Sequence, residues 1–194
     1  QGTDVIITRD IKKAPGLLDY LKKFLEYFDP EKARVKINKS VVNFPLPGNT
    51  VVRKFPFKKG EKTFEQAIRM TIDLNPPEED RHLKMYSQGV FIMQRKMNFG
   101  CIKIDLPSVI DVVEGRDEFK LDEAYNCALE HIWKLVLMQV QNSKDDVNLV
   151  NAFRELVPAL EEALKSEIMF KEDFIKIIFP RKTYVVETNT SIYE

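Results

Sequence analysis

Apolar positions recur with the period of an α-helix in three segments of the chain. In residues 17–28, leucine and phenylalanine fall on one face while aspartate, lysine and glutamate fall opposite. Residues 124–140 are apolar almost all round, which predicts a central buried helix with Trp133 in the core. The third segment is 143–168, and Pro158 is expected to kink it or divide it.

Two antiparallel hairpins are predicted from β-prone runs. The first covers residues 34–57, where two such runs flank a Pro-Leu-Pro-Gly-Asn sequence, and the second covers residues 90–106. Between them, Thr63 and Gln66 have the spacing of a capping box, which predicts a short helix that ends at Asn75.

These elements predict an α+β fold: a mostly antiparallel sheet packed against a buried central helix and flanking amphipathic helices. Residues 109–113 predict a further short strand, and the β-prone runs 174–179 and 184–186 are expected to close the sheet or to pair with another chain. The chain begins Gln-Gly without a methionine, which we interpret as the remnant of an expression tag. We therefore expect a single globular domain over residues 3–194, taken from a longer protein.

Composition excludes two broad classes of protein. With 44% hydrophobic and 31% charged residues, the chain is too apolar for a disordered protein and too charged for a membrane protein. Two cysteines, Cys101 and Cys127, are too few for a disulfide framework and indicate reduced thiols in the cytoplasm or nucleus. Plentiful lysine, isoleucine, phenylalanine and asparagine are typical of AT-rich genomes, including those of some viruses.

Charges balance overall but are segregated along the sequence. Lysine plus arginine equal aspartate plus glutamate at 30 each, whereas residues 32–62 carry nine cations against Glu61 alone. Residues 53–59, Arg-Lys-Phe-Pro-Phe-Lys-Lys, interleave cations with aromatic rings, as phosphate contact and base stacking require. The candidate residues for binding RNA, DNA or an anionic lipid surface are Arg34, Lys36, Arg53, Lys54, Phe55, Phe57, Lys58, Lys59 and Lys62. The alternative is a solvated strand face whose phenylalanines belong to the core.

Two clusters contain the residue types of a catalytic or metal site. The outline of a metal-dependent nuclease consists of His82, Asp105, Asp111, Glu118 and Lys120. Its spacing argues against it, because Glu118 and Lys120 fall in a polar run just before a helix, where charged residues ordinarily cap or solvate. Cys127 and His131 share one helix face, but no third ligand is spaced nearby, which favours a core pair.

No phosphate-binding glycine loop, serine elbow or metalloprotease helix is present in the sequence, and seven glycines leave little material for one. We therefore expect neither an enzyme nor a bound cofactor. The favoured hypothesis is a protein-interaction or self-assembly domain of a viral or regulatory protein, acting through strand edges and helix faces. The alternatives are nucleic-acid or anionic-surface binding through residues 32–62, and a metal-dependent nuclease.

Overall fold

The computed structural model describes residues 16–28, 34–37, 40–41, 43, 46, 48–115 and 117–166. In chain order, its elements are α1 (Leu17–Phe24), β1 (Lys36–Ile37), β2 (Ser40–Val41), β3 (Val51–Lys59), β4 (Lys62–Asp73), a 3-10 turn (Glu78–Asp80), β5 (His82–Ser87), β6 (Val90–Lys96), β7 (Cys101–Leu106), α2 (Glu123–Asn142) and α3 (Val147–Leu164). Residues 1–2, which we interpreted as a tag remnant, lie outside the described residues. The β-prone runs 174–179 and 184–186 also lie outside them.

Strands β3 to β7 form one five-stranded sheet in the order β3-β4-β7-β5-β6. Every neighbouring pair is antiparallel except β5 and β7, which are parallel. Strands β1 and β2 form a separate two-stranded sheet. This architecture confirms the α+β fold with a mostly antiparallel sheet.

The five-stranded sheet has two chemically different faces. In β7, Ile102 and Ile104 are fully buried in the main core, and they alternate along the strand with Lys103 and Asp105. Because successive side chains of a strand point to opposite faces, the isoleucines and the charged residues line different sides. We call these sides the apolar face and the polar face.

Helices α2 and α3 contribute to the core that covers the apolar face. Asp122 caps α2 by accepting a hydrogen bond from the Tyr125 backbone N–H at 3.0 Å, and Asp146 caps α3 in the same way. The Trp133 side chain is 1% exposed, which confirms its predicted burial. Pro158 lies on the exposed side of a continuous α3 and does not divide it.

The predicted hairpin over residues 34–57 and the short helix after Thr63 are wrong. Strand β3 pairs with β4 through a two-residue turn closed by Lys59 and Lys62, and Gly60 in that turn has a positive φ of 63°. Thr63 and Gln66 lie within β4. Apolar residues recur at every second position later in this strand, so sheet formation buries one side of it and overrides the local capping motif.

The predicted hairpin over residues 90–106 is also wrong. Strand β6 pairs with the preceding strand β5, while β7 lies between β4 and β5. Residues 109–113 form no strand, since their one ladder contact is an isolated bridge between Val112 and Phe119. The sequence locates both strands correctly, but β6 pairs with the strand that precedes it, and β7 pairs with β4, which is distant in sequence.

The segment that follows α1 covers part of the polar face. Tyr27 is fully buried, stacks on Tyr86 with ring centroids 4.8 Å apart, and hydrogen-bonds the hydroxyl of Thr71. Gly89 has φ 87° and lies so close to this segment that an added Cβ would be 2.6 Å from the Phe28 Cα. Only glycine satisfies both requirements.

Replacing Gly89 with alanine should therefore destabilise the fold strongly. Gly60 is the matched control, because it also has a positive φ but a Cβ added there would have no neighbouring atom within 4 Å. We expect Gly60→Ala to cost about 1–2 kcal/mol for the left-handed backbone alone, and Gly89→Ala to cost about 3 kcal/mol or more because it adds the clash. Urea unfolding measures both, and equal losses would contradict this packing.

Candidate functional site

The structure separates the basic segment 32–62 into two parts. Lys36 belongs to β1 and pairs with Val41 in the small sheet, and Arg34 precedes that strand. The remaining candidate cations belong to the β3–β4 hairpin of the large sheet. The segment is therefore not a single hairpin with one basic surface.

Within the β3–β4 hairpin, the cations and the aromatic rings do not share one surface. Phe57 is fully buried, and Phe55 stacks on His131 with ring centroids 4.3 Å apart. Lys54 and Lys58 are exposed, and strand alternation places them on the face opposite to the phenylalanines. A nucleic acid could thus contact these lysines on this face but could not stack on Phe57.

The cations on the phenylalanine side of β3 are Arg53 and Lys59. Lys59 forms an ion pair with Asp111 at 2.8 Å, and Lys62 lies directly across from it in β4. The paired side chains are 51% and 43% exposed, so the ion pair contributes little to stability. A binding role for these residues stays a prediction.

Cys127 and His131 do come together on α2. The Cys127 Sγ lies 3.3 Å from the His131 Nε2, which is also 3.2 Å from the Pro56 carbonyl oxygen. Since a carbonyl only accepts, Nε2 carries the proton, and Nδ1 is a buried acceptor without a hydrogen-bond partner among the described residues.

Burial keeps both members of this pair neutral. It is the main cause that lowers the pKa of His131 and raises the pKa of the Cys127 thiol. A reactive cysteine needs the thiolate, which this environment disfavours. The hydrogen bond from His131 to Pro56 connects α2 to β3. The pair is therefore a structural contact and not a reactive site, as the sequence favoured.

The residues of the nuclease outline occupy separate surroundings. Asp105 accepts a hydrogen bond from the Arg69 Nε at 2.8 Å, and Asp111 pairs with Lys59. Glu118 and Lys120 are exposed in the loop before α2. Among the described residues, no group of three or more histidine, cysteine or carboxylate side chains is arranged to hold a metal ion.

Sequence reasoning missed a cavity of about 370 Å³ on the polar face. Lys103 lies in its wall and bonds Glu26, which also accepts a hydrogen bond from the Tyr86 hydroxyl at 2.8 Å. Burial alone would raise the pKa of Glu26, but these contacts, Lys103 foremost, outweigh it and leave the pKa lowered. Lys84 lines the same cavity and is 8% exposed.

The signal for this cavity was present in the sequence. Lys84 and Lys103 each stand inside a six-residue strand with apolar residues immediately before and after them. A lysine at the centre of an interior strand indicates a polar site on one side of the sheet. What the sequence lacked was the pairing of β5 with β7 that puts the two lysines side by side.

A second cavity of about 330 Å³, which we call the α1–β6 groove, lies between α1 and the edge strand β6. Its walls are mainly apolar and consist of Tyr20, Lys23, Phe24, Phe91, Ile92, Met93 and Gln94. The Tyr20 side chain is 61% exposed, and Phe24 packs against Phe91 with ring centroids 6.4 Å apart. An apolar surface beside a strand edge is a typical place for another chain to bind.

The neutral state of His131 predicts a pH dependence of stability. The unfolded chain takes up a proton near the ordinary histidine pKa of 6.5, whereas the folded chain does so only at lower pH. The unfolded state is therefore favoured as pH falls below 6.5. We expect urea unfolding at about pH 5 to show lower stability than at about pH 7.5, and His131→Phe to remove most of that difference.

Cys127→Ala is the control, because it retains the imidazole and should retain the pH response. An equal difference between the two pH values in His131→Phe would show that another group is responsible.

Among the helices of the described residues, none has the length and apolar character that crossing a membrane requires. No protein-family model matches the sequence, and no curated protein matches it significantly.

Proposed function

We propose that this chain is a non-enzymatic assembly domain that pairs with a second copy of itself along β6 and the α1–β6 groove. The observation that carries the proposal is the character of the β6 edge. Among the described residues, β6 has a strand neighbour on one side only. The mainly apolar α1–β6 groove lies beside this strand. Such an edge offers backbone hydrogen bonds and apolar contact to an incoming strand.

The opposite edge of the sheet is protected against pairing. The β3–β4 turn is closed by Lys59 and Lys62, so the odd-numbered residues of β3 form the backbone hydrogen bonds to β4. The backbone groups of the even-numbered residues, including Pro56, therefore face away from β4 toward the free edge. Pro56 has no N–H to donate, and its carbonyl already accepts from His131. A strand of a second chain would therefore find no free backbone donor or acceptor at Pro56, at the centre of this edge.

Antiparallel pairing of two β6 strands also satisfies the charges. If Met93 lies on the two-fold axis, Gln94 falls opposite Ile92 and Lys96 falls opposite Val90. No lysine or arginine then lies opposite another, so like charges do not oppose the pairing. The apolar half of each strand meets the polar half of its copy.

Sedimentation equilibrium from about 1 µM to about 1 mM protein tests the assembly. We expect dimers, and we expect Ile92→Lys to raise the dimer Kd at least about tenfold because it places a charge in the apolar groove. Val52→Lys is the matched control, since Val52 is 46% exposed on the protected edge and its replacement should leave the Kd unchanged. A monomer over the whole concentration range would overturn the proposal.

Two further variants distinguish loss of the dimer from loss of folding and locate the two-fold axis of the dimer. Tyr20→Glu alters an exposed groove residue, so it should weaken the dimer without lowering the melting temperature. Met93→Cys should form an intermolecular disulfide on mild oxidation, because facing residues of paired strands lie within bonding distance. Absence of that cross-link in a proven dimer would place the interface elsewhere.

A second candidate function is supported by Lys54 and Lys58. Both side chains are exposed on the polar side of the β3–β4 hairpin, and neither forms an ion pair with any described residue. Glu65 lies between them on β4, across from Pro56, and reduces the local positive charge. This arrangement supports weak contact with an anionic polymer such as single-stranded RNA.

A fluorescence titration with a single-stranded RNA at several salt concentrations tests this candidate. Each phosphate contact contributes a slope of about −0.7 to the plot of log affinity against log salt. Lys54→Ala with Lys58→Ala should therefore reduce the magnitude of the slope by about 1.4, whereas Lys59→Ala, which removes a paired cation, should change it less. No binding at about 50 mM salt would exclude this function.

A further inference from the structure

The cavity on the polar face is lined by a lysine that has no anionic partner among the described residues. The Lys84 side chain is 8% exposed and lines the cavity. It forms no hydrogen bond or ion pair with any described residue. The Lys84 Nζ is not among the buried atoms that lack a hydrogen-bond partner, so the stem of the side chain is buried while the ammonium group faces the cavity.

The neighbouring charges do not neutralise this ammonium group. In the register of β5 and β7, Lys84 lies directly beside Lys103, so two like charges stand together at the centre of the sheet. Glu26 lines the same cavity, but its carboxylate bonds Lys103 and the Tyr86 hydroxyl. Lys84 attracts Glu26 electrostatically without forming an ion pair with it.

The mouth of the cavity has the opposite charge. Asp73, at the end of β4, and Asp80, on the 3-10 turn, line the cavity with exposed side chains. One carboxylate oxygen of Asp73 accepts from the Asn75 backbone N–H at 3.0 Å, which fixes its direction. A ligand would therefore meet carboxylates at the mouth and an ammonium inside.

From this arrangement we infer that the cavity binds a small zwitterion, a molecule of the amino-acid class with one carboxylate and one ammonium group. The carboxylate pairs with Lys84, and the ammonium group lies near Asp73 and Asp80. The rim carboxylates disfavour inorganic phosphate, which carries more negative charge and no cation. The volume of about 370 Å³ falls in the range of small-molecule sites. This inference does not depend on assembly through β6.

Titrations followed by ¹H–¹⁵N NMR test the inference with defined probes. Glycine, β-alanine and 4-aminobutyrate vary the distance between the two charges, while acetate and methylammonium carry one charge each. We expect at least one zwitterion to shift the amide signals of Thr71, Cys101 and Lys103, with a Kd at least about tenfold below those of acetate and methylammonium. Lys84→Met, which retains the length of the side chain without its charge, should weaken that binding at least about tenfold.

Lys144→Met is the matched control, because Lys144 is exposed in the turn between α2 and α3 and its replacement should not change binding. Lys84→Met should also unfold no earlier than the unaltered chain, since no described residue forms an ion pair with the ammonium group that it removes.

Four outcomes would overturn the inference. The first is no binding of any probe at about 10 mM, well above the Kd of even a millimolar site. The second is unchanged binding in Lys84→Met. The third is acetate binding as tightly as the zwitterions, which would leave a plain carboxylate site. The fourth is earlier unfolding of Lys84→Met, which would mean that the protein itself satisfies the ammonium.

Discussion

The carboxylate of Asp105 joins three parts of the sheet, and the polar face depends on it. One oxygen accepts from Arg69 on β4, and the other accepts from the Gly89 backbone N–H at 2.6 Å. Asp105 itself stands on the central strand β7 and is 4% exposed. A carboxylate that is nearly excluded from water is stable only when its oxygens are satisfied, as they are here. Removal of the Arg69 side chain would take away the cation that pairs with this buried carboxylate.

This bond to Gly89 determines what can cover the polar face. It fixes the turn between β5 and β6 beside β7, and the missing side chain of Gly89 lets the backbone of Tyr27 and Phe28 approach closely. Tyr27 then fills the space between Tyr86 and Thr71. The polar face is closed at this end by aromatic packing and stays open at the other end, where the cavity with Lys84 lies.

Sequence reasoning succeeded for the helices, whose apolar pattern is continuous along the chain. Helix α2 is predictable because its apolar surface and its capping residue Asp122 lie in adjacent residues. The position of β7 could not be predicted because it depends on contacts between residues far apart, such as Arg69 with Asp105. The β3–β4 and β5–β6 hairpins are local, and they were missed because the strands β4 and β5 were not predicted. At Thr63, burial of an alternating strand pattern prevailed over a local helix signal. The candidate site was less predictable for the same reason, because the cavity needs β4, β5 and β7 together with Glu26 from the segment after α1. No single stretch of sequence contains enough of it to form a motif.

The basic residues of β3 also have a structural role that needs no ligand, because they lie on an edge strand of the sheet. Lysines and a proline on an edge strand prevent pairing with other chains, because a charge is costly to bury and proline cannot donate. The backbone groups of Lys54, Pro56 and Lys58 face the free edge of β3. The Pro56 carbonyl, which lies between the two lysines, already accepts a hydrogen bond from His131. Strand β6 has apolar residues at the corresponding place, with Ile92 beside the groove. Under the proposed assembly through β6, protection of the β3 edge would direct association to a single side, and so would limit it to closed pairs instead of open chains.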